Sequence, residues 1–141
     1  MCCVFPEGKT TCIRGRSGCG KTTLIRLLLG LDIPDKGKIE GISDRKISAV
    51  FQEDRLCENL SAASNIRLVC TKTISDRELE EAYKAVALTE VWQKPVRELS
   101  GGMRRRVSIL RALLADSDCV IMDEPLRGLD EKPEQKQLII F

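Results

Sequence analysis

The stretch Gly15-Arg16-Ser17-Gly18-Cys19-Gly20-Lys21-Thr22 constrains this chain more than any other. It matches GxxxxGK[ST], and it lies between a β-leaning run, Thr10 to Arg14, and a segment from Lys21 to Leu31 in which Leu24, Leu27, Leu28 and Leu31 recur at helical spacing. Strand, glycine loop and helix in that order predict a phosphate-binding loop. The glycines let backbone N–H groups turn inward around a phosphate, and a helix starting near Lys21 directs its positive end at the same anion. Lys21 then reaches the β- and γ-phosphates of a nucleotide. The Thr22 hydroxyl is the usual ligand for the Mg²⁺ that bridges them, and Thr23 adjoins it in the helix.

Further strands are predicted at Lys46 to Phe51 and at Cys119 to Met122, the latter four apolar residues in a row, as a strand buried on both faces requires. These predict a parallel α/β core. Between them, Asn59 to Ala115 is mostly helical in pattern. Ser75 and Glu78 form a capping box ahead of Leu79, Ala82, Tyr83 and Val86 on one helical face, and a second helix is predicted over Gly102 to Ala115 with Met103, Val107, Leu110 and Leu114 on one side. A helical lobe, residues 53–115, is therefore expected inside an α/β core made of residues 1–52 and 116–141. Arg104, Arg105 and Arg106 read as a solvated face rather than an anion site.

Cys119 to Met122 delivers Asp123 and Glu124 at its carboxyl end, where ligands sit in open α/β sheets. Asp123 is placed to hold Mg²⁺, and Glu124 to polarise a water for in-line attack on a γ-phosphorus. Leu99-Ser100-Gly101-Gly102-Met103 has the logic of a second anion site: a hydroxyl cap, two glycines that permit close backbone approach, and a helix start.

Composition narrows the partners. With 141 residues, 43% of them hydrophobic and 31% charged, and a formal charge of +2, the chain is an ordinary globular domain without the net field that favours nucleic acid or anionic lipid. No apolar run approaches a bilayer span, and the start, Met1 to Glu7, lacks the pattern of a signal peptide, which predicts the cytosol. Seven cysteines fall in no CxxC pair and the chain contains no histidine, so structural zinc is not expected. Reduced thiols acting as small apolar residues are the reading, and Cys2 and Cys3 lack a flanking anchor signal.

Taken together, these motifs resemble the ATP-binding subunits of ABC transporters. Gly15 to Thr22 resembles the Walker A loop, Gln52 in Val50-Phe51-Gln52-Glu53-Asp54 the Q-loop glutamine, and Leu99 to Gly102 the signature motif. Cys119 to Glu124 resembles Walker B with its catalytic glutamate, and Leu129-Asp130 the D-loop, all in the family's order. The resemblance implies a RecA-like P-loop NTPase core with an inserted helical subdomain. It implies Mg-ATP bound by Gly15 to Thr23, with Thr22, Gln52 and Asp123 about the metal and Glu124, Gln52 and Lys21 in catalysis. Two subunits would pair head to tail, so that Ser100, Gly101, Gly102 and Asp130 meet the partner's nucleotide. Transmembrane permease subunits, and an extracytoplasmic solute-binding protein, are further implied partners, with the chain held peripherally at the inner face of the membrane. Met103 after the signature glycines and the string Phe51 to Leu56 are similar to importers of the nitrate, sulfonate and taurine type.

The chain departs from the family in length. The aromatic that stacks on adenine lies upstream of what is present, Phe5 is too near the loop to take that part, and no switch histidine exists. A truncated product is the expectation, binding ATP and GTP within a few-fold of each other, hydrolysing little alone, and leaving Cys119 to Met122 poorly covered. Three rivals remain. A small-molecule kinase has no reason to carry Leu-Ser-Gly-Gly, and chromosome or DNA-repair ATPases insert a long coiled coil, whereas Lys21 and Asp123 are 102 positions apart (123 minus 21). A non-catalytic nucleotide-binding module is the third. The transported solute is not encoded here.

Overall fold

The short apolar runs become strands and the 3.6-periodic segments become helices, in the order β1 (Thr11–Arg14), α1 (Lys21–Leu28), β2 (Ile47–Val50), α2 (Ala62–Arg67), α3 (Asp76–Ala85), a 3₁₀ turn (Val96–Glu98), α4 (Gly101–Leu114), β3 (Cys119–Asp123) and β4 (Gln137–Ile140). This computed structural model describes residues 2–88, 91–126 and 137–140, the last as backbone. The described residues fall in two compact units, one of 2–52, 117–126 and 137–140 and the other of 53–88 and 91–116. None of the described helices is long and apolar enough to cross a membrane.

In the first unit the strands form one sheet, ordered β1-β4-β3-β2. β2 and β3 are parallel, Val50 opposite Met122, as predicted. β4 is antiparallel to both of its neighbours, so the sheet is mixed where a wholly parallel one was expected, although β1, β2 and β3 still point the same way. β4 bonds to both neighbours in this direction, so its backbone groups are satisfied without a parallel crossover. β4 also corrects the expectation of a poorly covered β3. Residues 138–141 read only as a short apolar run in the sequence, yet β4 pairs with β3 from Ile121 to Asp123, and Ile121 and Met122 are buried. Ile25 and Leu28 of α1 pack on Ile121, with Phe5, Ile13 and Ile47 around them. Each such fully buried side chain contributes about 1.5–3 kcal/mol of transfer free energy.

The second unit closes over Ile66, Leu79, Tyr83, Leu88, Val96, Leu99, Val107 and Leu110. The predicted stripe on α4 is the buried one: Val107 and Leu110 are core, and Met103 and Leu114 pack at its edge. The capping box on α3 is present, with Ser75 Oγ accepting from the Glu78 amide and the Glu78 carboxylate accepting from the Ser75 amide. That bonding holds the Glu78 carboxyl below its usual range.

Two helix ends test the chemistry of termination. α1 stops at Leu28 rather than running to Leu31, because Gly30 turns left-handed (φ 66°) and the amides of Gly30 and Leu31 bond back to Leu27 and Arg26 at 3.1 and 2.8 Å. α3 ends by the same geometry, with the amides of Ala87 and Leu88 on Lys84 and Tyr83 at 3.1 and 2.9 Å, but a Cβ stands at the left-handed position (φ 54°). An L-residue there costs about 1–2 kcal/mol, of which glycine's unfolded-state entropy offsets roughly half. Ala87→Gly is therefore expected to raise the unfolding free energy by about 0.5–1 kcal/mol. Denaturant titration of the two proteins measures it, and an unchanged or lowered midpoint contradicts it.

Candidate functional site

The loop between β1 and α1 is built to leave donors exposed. Gly20, at the N-cap of α1, has φ 98° and offers no side chain to the first-turn amides, and that turn contains no acidic residue. Those N–H groups therefore retain their bonding capacity at the positive end of the helix. A Cβ on Gly15 would stand 2.6 Å from Cys19 Sγ, so a larger residue there would require the Cys19 side chain to turn away. Lys21 is 8% exposed, and its ammonium donates to the carbonyls of Gly15 and Arg16 at 2.8 and 3.0 Å, with Cys19 Sγ at 3.5 Å. The charge is thus held inside the turn of the loop, while Arg16, Ser17, Gly18, Thr22 and Thr23 face solvent.

The sheet register brings the acids to the same place. Arg14 ends β1 opposite Gln137, and Asp123 ends β3 opposite Leu138, so the carboxyl ends of both strands share one edge. β2 reaches that edge beside β3, which puts Gln52, two residues past Val50 and exposed, next along the rim from Asp123 and Glu124. Asp123 is 4% exposed, and its Oδ2 accepts a hydrogen bond from Thr22 Oγ1 at 3.3 Å. A hydroxyl and a carboxylate, both hard oxygen donors, beside a helix start that no side chain caps form a donor set that fits Mg²⁺ carried by a polyphosphate. Glu124 follows in the left-handed region (φ 48°), a strain on the order of 1–3 kcal/mol for a residue with a Cβ.

The second predicted anion site lies in the other unit. Ser100 caps α4, its Oγ accepting from the Met103 amide at 3.3 Å, and a Cβ on Gly101 would meet only open space. Gly102 lies within the first turn. The helix that follows corrects one reading of the sequence: the arginines are not a solvated face. Arg105 is 3% exposed and pairs with Asp54 at 3.4 Å; Arg104 donates to the carbonyls of Leu99 and Arg97, and Arg106 to that of Ala87. Loops leave carbonyls without partners, and a five-donor guanidinium satisfies several at once.

Arg111 was not singled out in the sequence, and it makes the shortest of these contacts. Its Nη1 donates to Arg55 O at 2.8 Å and its Nη2 to Asp54 O at 3.2 Å, while burial pushes its guanidinium down from the ordinary value. An arginine at the far end of an apolar-periodic helix gives no signal by itself. Of the other predicted site residues, Asp130 lies outside the described residues. The cysteines are all free, but Cys2, Cys3, Cys12, Cys19 and Cys57 are exposed, so only Cys70 and Cys119 take the apolar role expected of all seven. Burial raises both of those thiols.

A glycine loop that leads from a strand into a helix, with an acid at the carboxyl end of another strand of the same sheet bonded to that helix's first turn, defines a P-loop nucleotide-binding domain. The ABC transporter family's sequence profile matches residues 3–127, and the chain belongs to that family. Relatives include a spermidine/putrescine import ATP-binding protein of Fusobacterium nucleatum, 38% identical over 94% of this chain, and an aliphatic sulfonates import ATP-binding protein of Paraburkholderia xenovorans, 39% identical over 88% of it. The chain spans 39% and 49% of those two proteins. Among solved structures, an ATP-binding cassette captured as a dimer in a post-hydrolysis state with ADP and Pi bound superposes with a TM-score of 0.66, at 28% identity, over 82% of this chain and 60% of the other. RNase-L inhibitor gives the same TM-score at 30% identity, over 79% of this chain and 22% of its own length.

Proposed function

We propose that this chain binds ATP with Mg²⁺ on Gly15–Thr23 and, as part of an ABC importer, hydrolyses it to drive a solute across the membrane. The observation that carries this reading is the Thr22–Asp123 hydrogen bond, which joins the phosphate loop to the strand-end carboxylate at the one place a nucleotide-bound metal needs both. In this reading Lys21 neutralises the β- and γ-phosphates, and Thr22 and Asp123 hold the metal, which supplies charge stabilisation when bound. Gln52 would orient the attacking water beside that metal, and Glu124 would accept the water's proton.

The relatives' roles in import, and a neighbour solved as a dimer, support the rest of the proposal. A second ATP-binding subunit docks head to tail, so that Ser100, Gly101, Gly102 and Asp130 of one copy meet the other's γ-phosphate. Permease subunits hold the pair at the cytoplasmic face of the membrane, and a solute-binding protein delivers cargo.

The reading is tested by titrating the chain with a fluorescent ATP analogue in Mg²⁺ and in EDTA. Mg²⁺ should tighten binding, and Asp123→Asn should lose most of that gain, roughly tenfold, while its affinity in EDTA stays near the parent's. An undiminished Mg²⁺ gain in Asp123→Asn rejects the metal assignment.

A further inference from the structure

Two features of the second unit fall on one helix, and the proposed nucleotide chemistry uses neither. Tyr83 of α3 is fully buried in the cluster of Ile66, Leu79, Leu88, Val96 and Val107, and its hydroxyl is the one buried side-chain polar atom among the described residues without a hydrogen-bond partner. A phenol placed so has given up water for nothing in return. Burial accordingly pushes its ionisation up from the ordinary value. Four residues on, Ala87 holds its left-handed backbone (φ 54°) where the chain leaves the helix.

The helix itself depends little on its seat for polar bonding. Its first turn is closed by its own capping box, Ser75 with Glu78, and its exposed side chains form the pairs Arg77–Glu81 at 3.1 Å and Glu80–Lys84 at 2.8 Å. Polar ties to other helices lie at its two ends, Arg67 of α2 on Asp76 and Arg106 of α4 on the Ala87 carbonyl. One motion therefore relieves both defects. If α3 swings outward the hydroxyl meets water and Ala87 regains an ordinary backbone, while the capping box and the i,i+4 pairs travel with the helix.

We propose that α3 is a strap that lifts from the helical unit as one piece while α2 and α4 stay packed, giving that unit a closed and a lifted form. The orphaned hydroxyl and the left-handed Ala87 favour lifting, and the apolar burial of Leu79 and Tyr83 opposes it. The strap lies wholly within one unit and operates independently of the proposed ATP chemistry.

Native-state hydrogen exchange of the full chain at rising, sub-denaturing urea tests this in the parent, Tyr83→Phe and Ala87→Gly. Phenylalanine removes only the orphaned oxygen and glycine only the left-handed cost, so neither variant endangers the fold. A helix of 10 residues is marginal alone in water, so its amides exchange from the lifted form. Amides 79–85 of the parent are expected to share one opening equilibrium, roughly a hundredfold more populated than that of amides 105–110 in α4 and with a smaller urea slope. Tyr83→Phe should slow amides 79–85 about tenfold, and Ala87→Gly about two- to fivefold.

Amides 79–85 that open only together with 105–110 would overturn the strap, since α3 then leaves only when the whole unit unfolds. Protection that falls steadily toward residue 85 would also overturn it, because that pattern is fraying from one end. So would exchange that Tyr83→Phe leaves unchanged, because the orphaned hydroxyl then has no part in the opening.

Discussion

Glu124→Gln is expected to leave nucleotide binding within a few-fold of the parent and to slow ATP hydrolysis by the proposed ATP-binding dimer roughly 10²- to 10⁴-fold, the range general-base catalysis supplies. The substitution suits the local geometry. Glu124 sits in a left-handed backbone immediately after β3, and glutamine inherits the same backbone cost, the same side-chain length and the same accepting oxygen. Only the capacity to take a proton is removed. The buried Asp123, bonded to Thr22, is untouched, so the proposed metal donors persist and the change should fall on turnover rather than on affinity. Phosphate release under saturating Mg-ATP, with binding measured in parallel, separates the two. Hydrolysis at the parental rate would remove Glu124 from the reaction. A loss of affinity equal to the loss of rate would mean that it holds the nucleotide and not the water.

The second large effect is on binding. Lys21→Ala should weaken ATP at least tenfold, about 1.4 kcal/mol, by direct titration in Mg²⁺. Two losses add here. The ammonium proposed to face the phosphates disappears, and so do its hydrogen bonds to the carbonyls of Gly15 and Arg16, which hold the turn of the loop in place. The second loss acts without a metal, so the affinity should also fall in EDTA, in contrast to Asp123→Asn. Equal affinity of Lys21→Ala and the parent would show that this loop is not where ATP binds.

How much of this was legible beforehand follows from the range of the interactions involved. The phosphate loop, its lysine and threonine, and the strand-end acids were readable because the geometry they need is encoded within a few residues. Glycines open the turn, the helix begins at Lys21, and an apolar run must end where its acids begin. The capping box on α3 and the apolar stripe on α4 are local in the same sense, and both were placed from spacing alone. What spacing does not carry is the identity of a distant partner. Arg105 has the composition of a surface residue and becomes buried because Asp54, 51 positions away, supplies the charge that makes burial tolerable. Arg111 looks unremarkable in its helix until two carbonyls 56 and 57 positions away turn out to lie under its fork. β4 takes an antiparallel place between β1 and β3, and no local pattern distinguishes that strand direction from the parallel one. The sequence by itself determined which groups are proposed for the chemistry, since the motifs that single them out depend on residue type at short separation. Only the tertiary structure decided which charges are buried, which strands are neighbours and what holds the loop after Gln52, because those outcomes depend on contacts whose partners are far apart along the chain.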